Sequence, residues 1–282
     1  MKIINREISG WTIKLSLDDL FFRTYNFVSR LRFRLLRYNK KYNVLNNYRV
    51  RNIHAGERCF IVGNGPSIQK EDLTMLKDEY TFFVNYFYRH DKIKDIDPKY
   101  YVIIDPKIQT GEWPLSMLSE ITNDCPHTTL ILNAKWSNDP RFESYLTNNE
   151  VIWIYADQVV HKGFSFPIDL TRNISGDNVV KASLFSAIYM GFKDIYILGV
   201  DCDGIFQELA GLSSHFYDGV KEYDTFEKME RSLWQTALGF RGWQAIADRF
   251  RDSYNIVNLT QGGLLNVFPR NSLQNILKKD DV

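Results

Sequence analysis

From Arg58 onward the chain alternates short apolar runs with stretches of helical character, and the runs do not themselves alternate apolar with polar residues. The strand candidates are 59–62, 81–85, 100–105, 129–133, 151–155, 194–200 and 255–259. The helix candidates are 71–77, 115–121, 177–190, 226–251 and 272–278. A strand that is apolar on both faces needs cover on both faces, which is the condition of a parallel strand between two helix layers. This predicts an α/β fold over residues 58–282: a single doubly wound, mostly parallel, Rossmann-like sheet. In such sheets ligands sit beyond the carboxyl ends of the strands, near the point where strand order reverses. The residues that end the strands therefore carry the functional question.

The first run, Arg58-Cys59-Phe60-Ile61-Val62, stops at Gly63-Asn64-Gly65-Pro66-Ser67. Glycine lets the backbone turn tightly and approach a ligand closely. Pro66 and Ser67 suit a helix start, and a strand, a glycine turn and a helix N-terminus together make an anion site. The turn is not the dinucleotide fingerprint: the third glycine is missing, and Asn85 rather than an acid ends the second strand. Nor is it a P-loop, which needs Gly-Lys-Ser/Thr. Asp105, Asn133, Asp201 and Asp203 end later strands, where Asn and Asp are also ordinary turn residues.

Three further stretches bear on chemistry. Asn173 to Asn178 opens the 177–190 helix, with Ser175 or Asp177 placed as cap and a second helix N-terminus aimed at the same crevice. Asp201-Cys202-Asp203 ends a strand with an Asp-x-Asp, which either holds a divalent metal through carboxylate oxygens or is a polar turn facing a ribose or base. Ser213 to Asp218 lies in a loop of lid-like length with His215, whose ordinary pKa suits a general base. Tyr217 and Tyr223 are placed there as donors to a phosphate, while His54, His90, His127 and His161 read as surface loop histidines. The chain lacks a nucleophile elbow, which argues against a hydrolase built on Ser214.

Before the sheet, residues 1–57 read as a basic amphipathic helix and a linker. Leu20, Phe27, Val28, Leu31, Leu35, Tyr38 and Tyr42 share one helical face, and Arg23, Arg30, Arg34, Arg37 and Lys41 another. Seven Lys or Arg and no acid lie between Arg23 and Lys41. Two readings stand: a surface helix packed on the domain, or an interfacial helix on anionic lipid. A net charge of +1 gives no reason to expect nucleic acid. Three scattered cysteines fit neither a disulfide framework nor a zinc site, and point to a reducing, cytoplasmic compartment. The N-terminus has no signal-peptide layout, and no apolar run reaches the roughly 20 residues of a bilayer span.

Ile61 to Ser67, followed by Phe83-Val84-Asn85-Tyr86-Phe87-Tyr88, resembles the start of the bacterial lipooligosaccharide sialyltransferases. Ile174-Ser175-Gly176 and the run from Ala187 to Asp201 are similar to their later motifs, so the resemblance covers roughly residues 58–220. The same motifs resemble a sister family of polysaccharide-locus proteins labelled hydroxymethylpterin pyrophosphokinase-like, and the tail Asn258 to Leu264 with Val267 to Arg270 is closer to that family. The sialyltransferase resemblance implies that Asn64, Asn85, Ser175 and Gly176 hold a CMP-linked acidic sugar, and Gly65, Ser67, Asp105, Asp203 and Tyr217 join them as substrate-binding candidates. It also implies His215 as the base that deprotonates a glycan acceptor, inversion at the anomeric carbon, and no required cofactor. Asp203 stands where that family has a phosphate-binding tyrosine, which reopens Mg binding by Asp201 and Asp203. The expected partners are a nucleotide sugar, a glycan acceptor and the inner-membrane surface, with oligomerisation left open. The alternatives are a Mg-dependent pyrophosphokinase acting on a pterin alcohol and a non-catalytic nucleotide-binding protein of a glycan locus.

Overall fold

A computed structural model of the chain describes residues 9–36, 38–146, 149–217 and 223–278. Arg37 and Asp218, and the side chains of Tyr38 and Tyr42, lie outside what is described. Eight parallel strands form one sheet: β1 (Arg58–Val62), β2 (Tyr80–Val84), β3 (Tyr100–Ile103), β4 (Thr129–Asn133), β5 (Val151–Gln158), β6 (Asn173–Ser175), β7 (Asp194–Leu198) and β8 (Asn255–Asn258). Their order is β6-β5-β4-β3-β2-β1-β7-β8. The chain steps outward from β1 to β6, returns through the Val179–Met190 helix to the other side of β1, and ends at β8. The order therefore reverses between β1 and β7, and the crevice beyond their carboxyl ends is where a ligand is expected.

Two apolar layers sandwich the sheet. One joins Ile61, Val102 and Ile197 to the Val179–Met190 and Phe226–Phe250 helices. The other joins Phe60, Val62 and Leu132 to the Ser116–Asp124 helix and to short turns after β1 and β2. β6 escapes the sequence reading because it is three residues long and Asn173 and Ser175 flank its one apolar residue. Tertiary pairing with β5, across a register shift, makes it a strand. After β1 the backbone makes two 3-10 helices, Pro66–Lys70 and Leu73–Leu76, in place of the expected 71–77 helix.

The N-terminal helix spans Gly10–Arg34, and a second helix covers Tyr38–Leu45. Its orientation reverses the packed-helix expectation. Leu20, Phe27 and Leu35 point outward, 60%, 55% and 84% exposed, while Phe22, Asn26, Ser29 and Phe33 face the protein. The contact with the sheet is apolar at Phe33, whose ring lies 5.2 Å from that of Tyr155, and polar at Asn26 and Ser29. Asn26 Nδ2 donates to the Val159 carbonyl (2.9 Å), and Asn26 Oδ1 accepts from the Val159 N–H (2.8 Å). Ser29 Oγ donates to Asp157 Oδ2 (2.6 Å) and accepts from Asn173 Nδ2 (2.7 Å). Residues 43–57 also pack on the domain: Asn47 donates to the Trp153 and Leu170 carbonyls, and His54 is buried against Tyr80, Tyr100 and Phe192. Among the described residues no helix is long and apolar enough to cross a membrane.

Candidate functional site at the strand ends

The glycine turn after β1 is sewn to the exit of β7. Gly63 N–H donates to the Leu198 carbonyl (2.8 Å) and Gly65 N–H to the Gly199 carbonyl (2.9 Å). Ser67 donates twice to Asp201, from its N–H to Oδ1 (3.3 Å) and from its hydroxyl to Oδ2 (2.9 Å). A Cβ on Gly65 would stand 1.7 Å from Asp201 Oδ2, so only glycine admits this approach. This corrects two expectations. Ser67 caps no helix: Gly65 is the cap of a five-residue 3-10 helix, and the Ser67 hydroxyl serves Asp201. The N–H groups of Gly63 and Gly65 are taken by the carbonyls of Leu198 and Gly199, and that of Ser67 by the Asp201 carboxylate, so the chain itself supplies their acceptors. On its far side Asp201 is met by the tail, where Leu264 N–H donates to its carbonyl (2.7 Å) and Gly263 turns at φ +68°. Burial pushes the Asp201 carboxyl up, against the Ser67 hydrogen bonds and with the nearby Asp203 charge.

What the strand ends do present is unsatisfied side-chain oxygen. Among the described residues six buried side-chain oxygens lack a hydrogen-bond partner, and Asn64 Oδ1, Asn85 Oδ1 and Asp203 Oδ1 are three of them. They follow β1, β2 and β7, three adjacent strands that include the pair at the reversal point. Each such atom costs about 1–3 kcal/mol while unpaired, so a group of them asks for an external partner. Asn85 and Cys202 also adopt left-handed backbone (φ +49° and +56°), the strain that clusters at functional sites. Asn85 is held there by Tyr101, whose hydroxyl donates to its carbonyl (2.8 Å) and accepts from Tyr88 N–H (2.7 Å). Asp105 Oδ1 accepts from Lys107 N–H (2.9 Å) and fixes the turn after β3.

The 213–217 loop docks on the same edge. Phe216 N–H donates to the Asn64 carbonyl (3.1 Å), and Gln69 Nε2 to the Phe216 carbonyl (2.7 Å). These bonds bring His215, half-buried, beside the end of β1. Its ring stacks on Tyr217 (4.9 Å between centroids), and Tyr217 meets Tyr86 (5.5 Å). The Arg89 guanidinium lies 4.5 Å from the Tyr86 ring centre and 5.6 Å from that of Tyr217. Of the other histidines, His127 fits the surface reading and His54, His90 and His161 depart from it. His54 and His161 are buried and His90 stacks on Phe87; His127 is exposed and pairs with Asp97.

Ser175 and Gly176 belong to a second polar group. Ser175 Oγ donates to Asp177, whose other oxygen pairs with Lys181 Nζ at 2.6 Å. The helix cap is neither Ser175 nor Asp177 but Asn178, whose Oδ1 accepts from Val180 and Lys181 N–H. A Cβ on Gly176 would stand 2.2 Å from the Ala156 carbonyl oxygen. Above this group opens a cavity of about 570 Å³, lined by Asp177, Asn178, Lys181, Cys202, Tyr223 and Trp243 among others. The two groups meet through consecutive residues: Asp201 faces the glycine turn, and Cys202 faces the cavity.

A family model described as 6-hydroxymethylpterin diphosphokinase MptE-like matches residues 33–205, more than half of the chain. The chain belongs to the MptE-like family. A search of curated proteins returns no match. Among solved structures, this MptE-like chain is similar to the MAf glycosyltransferase from Magnetospirillum magneticum AMB-1, with 18% identity and a TM-score of 0.50. That match covers 86% of this chain and 41% of the other, so the chain spans less than half the length of that relative. It is also similar to the sialyltransferase CstII from Campylobacter jejuni, solved with the substrate analogue cytidine-5'-monophosphate. There the identity is 16%, the TM-score 0.44, and the match covers 77% of this chain and 86% of that one. At 18% identity the likeness to the MAf glycosyltransferase is one of fold.

The donor set of the MptE-like site bears on a metal. Asp201 turns both carboxylate oxygens to Ser67, and Asp203 Oδ2 accepts from Gln207 Nε2 (2.9 Å). Among the described residues no three of His, Cys, Asp and Glu are gathered as a metal cage. Of the four carboxylate oxygens of Asp201 and Asp203, Asp203 Oδ1 is the one without a hydrogen-bond partner. The sequence reading missed Asn178, Lys181 and Trp243. Asn178 had a signal, an N-cap residue directly before an apolar helix; Trp243 lies mid-helix, 65 residues from Asn178 in sequence, and only folding brings it to the cavity.

Proposed function

We propose that the chain is a glycosyltransferase that moves an acidic, sialic acid-like sugar from a CMP donor to a bacterial surface glycan. The observation that carries this reading is the trio of buried, unpartnered oxygens on Asn64, Asn85 and Asp203 at the reversal of the sheet. A polyhydroxylated ligand supplies the donors such oxygens lack, and Ser175-Gly176, at the exit of β6 ahead of the Val179–Met190 helix, forms the other wall of the crevice. His215 takes the proton of the acceptor hydroxyl. The freed oxygen forms its bond at the anomeric carbon from one face, while CMP leaves from the other with the electron pair of the broken C–O bond, which inverts the centre. Tyr217 and Tyr223 hydrogen-bond the phosphate, and Gly65, Ser67 and Asp105 shape the pocket. Donor and lipid-linked acceptor meet at the cytoplasmic face of the inner membrane.

The family match favours a second reading, a Mg-dependent diphosphokinase acting on a pterin alcohol with ATP. Asp203, with Asp201 turned away from Ser67, would then hold the cation. A thermal-shift screen with CMP, CDP, UDP, GDP and ATP, with and without Mg, separates the two. Ligand that binds only the folded state raises the melting temperature. A shift with CMP alone supports the transferase, and a shift with ATP only when Mg is present supports the kinase. For the transferase, His215→Ala abolishes turnover and leaves the CMP shift intact; full activity in that variant would sink the mechanism.

A further inference from the structure

The Gly10–Arg34 helix is built inside out. Its polar residues Asn26 and Ser29 are buried on the sheet beside Phe22 and Phe33, and most of its other large apolar residues face away from the protein. At about 100° per residue, Ile13, Leu17, Leu20, Phe27, Leu31 and Leu35 fall within about 80° of arc, opposite the buried face. All six are exposed. Arg23 and Arg34 flank this stripe on one side and Arg32 on the other, all three exposed. A stripe of this length on one helix is larger than scattered surface leucines, and it marks an interaction surface.

We propose that this face lies in the plane of an anionic phospholipid bilayer, with the stripe in the acyl boundary and the arginines at the headgroups. Charge decides between this occupant and a second copy of the helix. No acid lies between residues 20 and 36. The helix's two acids, Asp18 and Asp19, are held by Lys14 and Arg241. Pairing two such helices would set arginines against arginines, whereas anionic headgroups neutralise both flanks at once. The buried face explains how a greasy helix stays attached to the domain. Hydrogen bonds between Asn26 and Ser29 on the helix and Asp157, Val159 and Asn173 on the sheet hold it without using the apolar stripe. Phe22, on that inner face, lines the cavity beside Lys181, so a bound membrane would run alongside the candidate site. The inference rests on the helix alone and does not depend on which reaction the site performs.

The test is co-sedimentation of the full chain with vesicles of phosphatidylcholine, with and without phosphatidylglycerol. Binding is expected to vesicles containing phosphatidylglycerol, with weak binding to phosphatidylcholine alone. Leu20→Glu combined with Leu31→Glu should weaken it by about tenfold or more. Arg32→Gln with Arg34→Gln, or about 0.5 M salt, should weaken it several-fold. All four side chains point outward, so unchanged melting temperatures verify that the variants fold; Leu20→Ser with Leu31→Ser serves if the glutamates disturb folding. Absence of binding by the unaltered chain overturns the proposal, as does binding that the leucine substitutions leave intact. A dimer in lipid-free solution that the same substitutions dissociate would overturn it in favour of a second copy.

Discussion

Asn64 places a buried, unpartnered side-chain oxygen beside a backbone carbonyl that holds the His215 loop. Its amide therefore adds little to stability in the free protein, since removing an unsatisfied atom removes its desolvation penalty. Asn64→Ala should leave the melting temperature unchanged or slightly raised and abolish the shift produced by nucleotide. A large loss of stability without ligand would show that the oxygen has a partner after all. The histidines give a pH prediction. Burial holds His54, His90 and His161 below their ordinary value of 6.5. The folded state keeps these rings neutral where the unfolded chain has already taken up protons. Their contribution is complete above pH 6.5 and is lost as the pH falls toward the folded values. The urea midpoint should therefore drop between pH 7.5 and 5.5, and His54→Gln should flatten the slope.

Helices in this chain are placed by a few polar contacts as much as by apolar ones. The Val179–Met190 helix is apolar nearly all round because it crosses beneath the sheet centre, and its only buried cation, Lys181, is neutralised by Asp177. The Gly10–Arg34 helix is the opposite case, docked through Asn26 and Ser29. Asn26→Ala strips partners from both the N–H and the carbonyl of Val159, at a cost of about 1–3 kcal/mol for each group left dry. The expected result is faster amide exchange in the helix and around Val159, with the strands at the sheet centre still protected. Uniform loss of protection across the sheet would mean that the helix is integral to the core.

At the scale of the molecule, the sheet order sets both stability and site. β1 lies between β2 and β7, covered on both faces, while β6 and β8 are edges. Hydrogen exchange should thus be slowest at 58–62 and 194–198 and faster at 173–175, because edge strands open without global unfolding. The reversal beside β1 also explains why Asn64, Asn85 and Asp203, far apart in sequence, end neighbouring strands.

The sheet was legible because runs such as Cys59–Val62 and Ile195–Leu198 are apolar without alternation, a pattern that local sequence carries in full. Strand ends were legible for the same reason, so Asn64, Asn85 and Asp203 were already candidates before any fold was seen. Other features were decided by tertiary structure. β6 exists because β5 offers it hydrogen bonds; Ser67 answers Asp201 because the β7 exit lies 134 residues away in sequence and in contact in space. The N-terminal helix is the sharpest case. Periodicity showed its apolar face, but which face meets the protein depends on Asp157, Val159 and Asn173 presenting polar groups, and no periodicity records the surface a helix will meet.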